Sequence, residues 1–129
     1  MIALVATVDG VYALDLDNAE VEPGEPFEPA VAPSLRLPRV VAAAEAGSTL
    51  VAVVDARPPL LVSHDAGSTW RESGRGLPPG RAVAISGVDP DLLLYAARNR
   101  LYLSRDGGVF WEALSLELPE ITAVALRQG

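Results

Sequence analysis

The sequence predicts an all-β propeller of three four-stranded blades, with residues 1–129 forming a single half-propeller domain. Three observations predict it. The octet Ser63-His64-Asp65-Ala66-Gly67-Ser68-Thr69-Trp70 returns as Ser104-Arg105-Asp106-Gly107-Gly108-Val109-Phe110-Trp111, and the two aspartates lie 41 positions apart. A fixed period of about 40–50 residues marks a propeller blade or a similar stacked unit. The rest of the chain is short apolar runs broken by Gly, Pro, Asn or Asp, the texture of many short strands. Finally, the two ends of the chain read as complementary pieces of one more unit.

Taken in order, residues 2–7 form a strand candidate, Asp9-Gly10 a tight turn, and residues 11–14 the returning strand. Residues 15–22 are polar. Residues 23–38 carry five prolines, each lacking a ladder donor, so this segment reads as an ordered loop with one weak edge strand. Regular order then begins, with strands at 40–44, 50–55, 60–63 and 70–72, the octet lying between the last two. A Gly/Pro loop at 74–80 resets the cycle, and strands follow at 82–85, 92–97, 101–104 and 110–114. Four strands in meander order make one blade. The Ala-rich stretch 40–46 has good helix propensity, but its repeat partner 82–86 does not share it, so strand is the consistent reading.

Residues 121–126 look like the first strand of a further unit whose second and third strands are missing from the C-terminal end. Residues 2–6 and 11–14 supply them, and Asp15-Leu16-Asp17-Asn18-Ala19 is a worn counterpart of the octet. The count is therefore three units of about 43 residues, one assembled from both ends. Propellers close with about 4–8 blades, and closure buries the blade flanks. Three blades alone leave two apolar flanks in water. The expectation is a homodimer that closes a six-bladed ring, the C-terminal strand of each chain pairing with the N-terminal strands of the other.

Composition narrows the function classes. Half the residues are hydrophobic and 21% are charged, as in a globular domain. The formal net charge is −7, and the ten basic residues, all arginine, are scattered, so nucleic acid is excluded as an expected partner. No apolar run approaches the roughly 20 residues that span a bilayer, and residues 1–9 lack a signal-peptide pattern, so no membrane partner and a cytoplasmic location are expected. The absence of cysteine excludes disulfides and thiolate chemistry.

The octets carry a resemblance. Ser63, Asp65, Gly67, Thr69 and Trp70 match the Asp-box of the bacterial neuraminidase repeat (BNR) family, and Ser104, Asp106, Gly108 and Trp111 match it with Phe110 in place of Thr. The resemblance implies that the box is a structural turn between the third and fourth strands of a blade. The chemistry agrees: an Asp in a tight turn accepts backbone N–H bonds, Gly supplies a positive φ, and Trp offers a ring to pack between units. No catalytic residue is expected among the octet positions.

Leu35-Arg36-Leu37-Pro38 and Arg57 precede the first octet in an order similar to the opening of a sialidase. There an aromatic-Arg-Ile-Pro motif supplies one of three arginines that clamp a carboxylate; Arg36 matches, whereas Leu35 and Leu37 depart. The other two arginines, the nucleophilic Tyr with its Glu, and the acid/base Asp have no counterpart. Arg36 and Arg57 are thus candidate ligand-binding residues. Asp15-x-Asp17-Asn18 starts like a Ca²⁺ loop, but Glu20 and Pro26 stand where Gly and Glu are required. With His64 as the sole histidine, no metal or other cofactor is expected. The leading function is a non-catalytic binding or scaffold module for protein partners; glycan recognition or a relic sialidase-like activity centred on Arg36 is the alternative.

Overall fold

A computed structural model describes residues 1–128, and those residues form twelve strands and no helix. The strands are β1 (Ile2–Thr7), β2 (Gly10–Asp15), β3 (Val21–Pro23), β4 (Val40–Ala46), β5 (Thr49–Val54) and β6 (Leu60–Ser63). They continue with β7 (Arg71–Ser73), β8 (Ala82–Ile85), β9 (Leu93–Ala97), β10 (Arg100–Ser104), β11 (Glu112–Ala113) and β12 (Ile121–Arg127). They build three antiparallel four-stranded sheets. The second blade is β4-β5-β6-β7, the third is β8-β9-β10-β11, and the seam blade is β12-β1-β2-β3. The split unit expected from the two ends of the sequence is therefore present. Its seam runs from Ile2 opposite Arg127 to Thr7 opposite Ile121, and β12 pairs with β1 of its own chain rather than with a second copy.

The third blade sits in the middle, with β8 packed against β4 on one side and β12 on the other. Strand alternation sends successive side chains of β9 to opposite faces. Leu93, Tyr95 and Ala97 join Val51, Val53, Leu60 and Val62 in the core shared with the second blade. Leu94 and Ala96 join Ala3, Val5, Leu14, Ile121 and Val124 in the core shared with the seam blade. A strand buried on both faces must be predominantly apolar, and Leu93-Leu94-Tyr95-Ala96-Ala97 carries one polar group, the Tyr95 hydroxyl, which donates to Pro78 O.

Residues 40–46 are a strand, as the repeat required, with a bulge between Val40 and Ala42. The fourth strands begin one or two residues later than the sequence suggested, at Arg71 and Glu112, and the Thr69 and Phe110 N–H groups before them bond the octet aspartates. Pro23 ends β3, the outermost strand of the seam blade, where a missing donor costs no ladder bond. The long segment after β3 does not hang free. Pro29, Ala30 and Val31 lie beside the inner strands β4, β8 and β12, and residues 33–37 come round Leu50 on the outer flank of the second blade. Leu50 is only 7% exposed. That flank is covered in part by the chain itself, which the sequence reading did not foresee.

Candidate functional site

Both octets occupy the turn between the third and fourth strands of a blade, and both are held by the same bonds. The Ser63 hydroxyl donates to Asp65 Oδ1 at 2.7 Å and accepts from the Gly67 N–H at 2.8 Å. Asp65 Oδ1 accepts the Thr69 N–H at 2.8 Å, and the Thr69 hydroxyl donates to Oδ2. In the second octet the Ser104 hydroxyl donates to Asp106 at 2.9 Å and accepts from Gly108 N–H at 2.8 Å, while Asp106 accepts the Phe110 N–H at 2.9 Å. Phe110 has no hydroxyl to offer and is 76% exposed. Gly67 and Gly108 take φ of 92° and 93°, a region L side chains rarely adopt. Each turn is also tied to the residue that leads into its blade's second strand: Ala66 N–H bonds Ser48 O at 2.8 Å, and Gly107 N–H bonds Asp91 O at 2.9 Å.

These bonds set the carboxylates' acidity. Donation from the Thr69 hydroxyl, then its N–H, then Ser63, lowers Asp65 to about 2. The Phe110 N–H, followed by Ser104, lowers Asp106. A carboxylate satisfied by hydrogen bonds to its ionised form stays ionised at ordinary pH.

The two tryptophans differ. Trp111 reaches across to the second blade: its indole N–H donates to Ser73 Oγ at 2.9 Å, and the Ser73 hydroxyl in turn donates to the Gly108 carbonyl. Its ring meets Tyr95 edge-on with centroids 6.1 Å apart. A Cβ on Gly108 would stand 3.0 Å from Ser73 Oγ, so glycine is also what lets the two blades approach there. Trp70 instead faces the outer flank of its blade, in a groove with Arg36, Glu45, Leu50 and Gly67.

The seam blade carries the worn turn, shortened by two residues: Leu14 pairs with Val21, whereas Val62 pairs with Arg71 and Leu103 with Glu112. By this register Asp15 stands in the serine position. Its Oδ1 accepts the Asp17 N–H at 2.9 Å, as Ser63 Oγ accepts that of Asp65 at 3.3 Å. Glu20 stands where tryptophan would be. Asp17, two residues further on, stands in the aspartate position that the sequence assigned to it, and its Oδ2 accepts from the Met1 ammonium at 3.3 Å.

Arg36 and Arg57 are not brought together. Arg36 lies at the octet end of the second blade, and Arg57 sits in the β5–β6 turn at the opposite end. There it lines a groove with Pro58, Pro59, Leu77, Pro78 and Arg75, a residue the sequence reading passed over because nothing in its spacing from Arg57 signals proximity. Neither Arg57 nor Arg75 has an ion-pair partner among the described residues. One wall of the groove is anchored by the fully buried Tyr95, whose hydroxyl donates to Pro78 O at 2.7 Å. Burial pushes that phenol up to about 12. Gly80 continues the wall so close to the Tyr95 ring that no Cβ fits there. His64 is exposed, with Nδ1 3.4 Å from Thr49 Oγ1. Among the described residues no cluster of three or more His, Cys, Asp or Glu side chains has metal-binding geometry.

Among solved structures, the chain is similar to the GH74 enzyme of Niastella koreensis, a β-propeller, with a TM-score of 0.54 and 22% identity. The chain has the fold of propeller blades. The match covers 95% of this chain and 19% of that enzyme, so the chain spans about a fifth of its length. At this identity the likeness concerns fold alone. No protein-family model matches the sequence, and comparison with the curated proteins gives no match.

Proposed function

We propose that the chain is a non-catalytic binding module built from Asp-box blades, and that its ligand is a polypeptide carrying a carboxylate. The observation that carries this reading is the commitment of both octet carboxylates to their own turns. A carboxylate that acts as nucleophile or acid needs an accessible oxygen and a pKa near the working pH. Asp65 has both oxygens engaged by its turn and is held at about 2, and Asp106 gives Oδ1 to the Ser104 hydroxyl and the Phe110 N–H. They serve the fold. The binding role falls to the groove between Arg57 and Arg75. Its proline and leucine walls suit an extended chain, and two guanidinium groups without partners favour an acidic side chain or a chain terminus.

A second reading is glycan recognition at Arg36, supported by the Trp70 ring in the same groove with Glu45. An aromatic face beside charged hydrogen-bonding groups suits a sugar ring. Capture from source lysate by wild-type protein, by the Arg57→Ala/Arg75→Ala variant and by Arg36→Ala separates the two, with a glycan array run in parallel. The polypeptide reading expects a captured protein lost only in the double variant. Array binding lost only in Arg36→Ala replaces it with the glycan reading. Cleavage of a fluorogenic sialoside that Arg36→Ala abolishes overturns the non-catalytic claim.

A further inference from the structure

We infer that the open side of this three-bladed array is an interface for a second copy of the same chain, the outer flank of each seam blade seating on the second blade of the partner. The argument rests on a repetition that the chain leaves unfinished. The second strand of one blade packs on the first strand of the next, as β5 does on β8 and β9 on β12. The third member of the series is β1 on β4, and no comparable packing of β1 on β4 occurs among the described residues. The seam blade and the second blade stand at opposite ends of the array, so the chain's own β4 is not in place to supply it.

The seam-blade surface concerned is apolar, and the second-blade flank carries Val41 and Ala43 of β4 with the exposed Glu45 at its edge. Ala3, Val5 and Val124 of the seam blade face the third blade, so alternation turns Ile2, Leu4, Ala6, Ala123 and Ala125 the other way. In the third blade the matching face, with Leu94 and Ala96, is what packs on its neighbour. A solvent-exposed valine lies on each half of the missing contact. Val8, just after β1, is 61% exposed, and Val41 in β4 is 51% exposed. Trp70 points the same way. Its counterpart Trp111 reaches the preceding blade through Ser73, whereas Trp70 faces a flank with no blade on it, and residues 33–37 form the rim of that flank.

Two copies related by a two-fold axis satisfy both missing contacts at once and close a ring of six blades, within the usual range for propellers. The β12–β1 seam stays within each chain, and the exposed residues 29–31, which line a groove with the three inner strands, remain on the axis side of the ring.

Light scattering coupled to gel filtration, at protein concentrations from about 1 to 100 μM, measures the mass against the 13.5 kDa chain. Twice that mass is expected for the wild type. Val8→Glu and Val41→Glu each place a carboxylate in the predicted contact while leaving the isolated chain's core untouched. Each is expected to weaken the dimer at least about tenfold, with an unchanged far-ultraviolet circular dichroism spectrum. A wild type that stays at one chain mass, or at any multiple other than two, overturns the inference. So does a dimer that neither substitution weakens.

Discussion

The bond from Trp111 to Ser73 is the most direct tie between two blades, and its contribution can be isolated. Ser73 Oγ accepts from the indole and donates to the Gly108 carbonyl, so Ser73→Ala leaves one donor and one acceptor without their partner. A buried polar group stripped of its partner costs about 1–3 kcal/mol, which places Ser73→Ala near 2 kcal/mol. Trp111→Phe keeps a ring against Tyr95 and loses only the N–H, a net effect of about 1 kcal/mol. Trp111→Ala loses the bond, the edge-on contact and the packing. For a half-buried ring that is about 3 kcal/mol, the low end of the range for aromatic truncation. Urea unfolding followed by far-ultraviolet circular dichroism gives each value without relying on the tryptophan being removed. In the Ser73→Ala background, Trp111→Phe should cost about 1 kcal/mol less than in the wild type. Strict additivity, within about 0.3 kcal/mol, would show that the bond contributes nothing and refute the blade-tie argument. Trp70→Ala, which breaks no bond to another blade of its own chain, should cost clearly less than Trp111→Ala.

Two further outcomes follow from the same contacts. Gly80→Ala forces a methyl group into the space of the Tyr95 ring, which is fully buried and fixed by its bond to Pro78; a loss of about 2–3 kcal/mol is expected, largely relieved in Tyr95→Leu, and equal losses in both backgrounds would contradict it. Asp65 is depressed from 3.8 to about 2, so the native state binds fewer protons than the unfolded chain over that interval; its stabilisation is complete above pH 4 and is lost as pH falls through 2. Thr69→Ala removes the first cause of that depression, and the fall in urea midpoint between pH 4 and pH 2 should be shallower than in the wild type. An unchanged slope counts against the assigned cause.

The blades were legible because local signals agreed. Period-two apolar runs, Gly/Pro punctuation and a repeated octet all favour the same meander, and the split blade followed from matching residues 121–126, 2–6 and 11–14 to an intact unit. What was not legible depends on which residues meet across blades. Ser73 carries no mark in the sequence; it matters because β7 ends where Gly108 and Trp111 of the next blade arrive. Arg75 likewise becomes relevant only because the loop after β7 folds back on the β5–β6 turn. Residues 33–37 read as a loop from their prolines, and their place against Leu50 follows from the long path between two blades that are not neighbours.

The worn turn of the seam blade shows why a third tryptophan is dispensable. In the third blade, Trp111 fills the space between an octet and the preceding blade. The seam blade meets the third blade differently. The segment from β11 to β12 brings Leu114, Leu116 and Leu118 into the shared core, beside Leu14 and Leu16 of the worn turn. Three leucines spaced two apart put their side chains on one side of an extended segment, and together they supply the apolar surface that one indole supplies elsewhere. The turn is then free to shorten. Asp15 keeps the bond that Ser63 makes in the second blade, and Glu20 takes the tryptophan position, its carbonyl accepting the Asp15 N–H. The blade is secured instead by its seam, where β12 contributes a full strand from the other end of the chain.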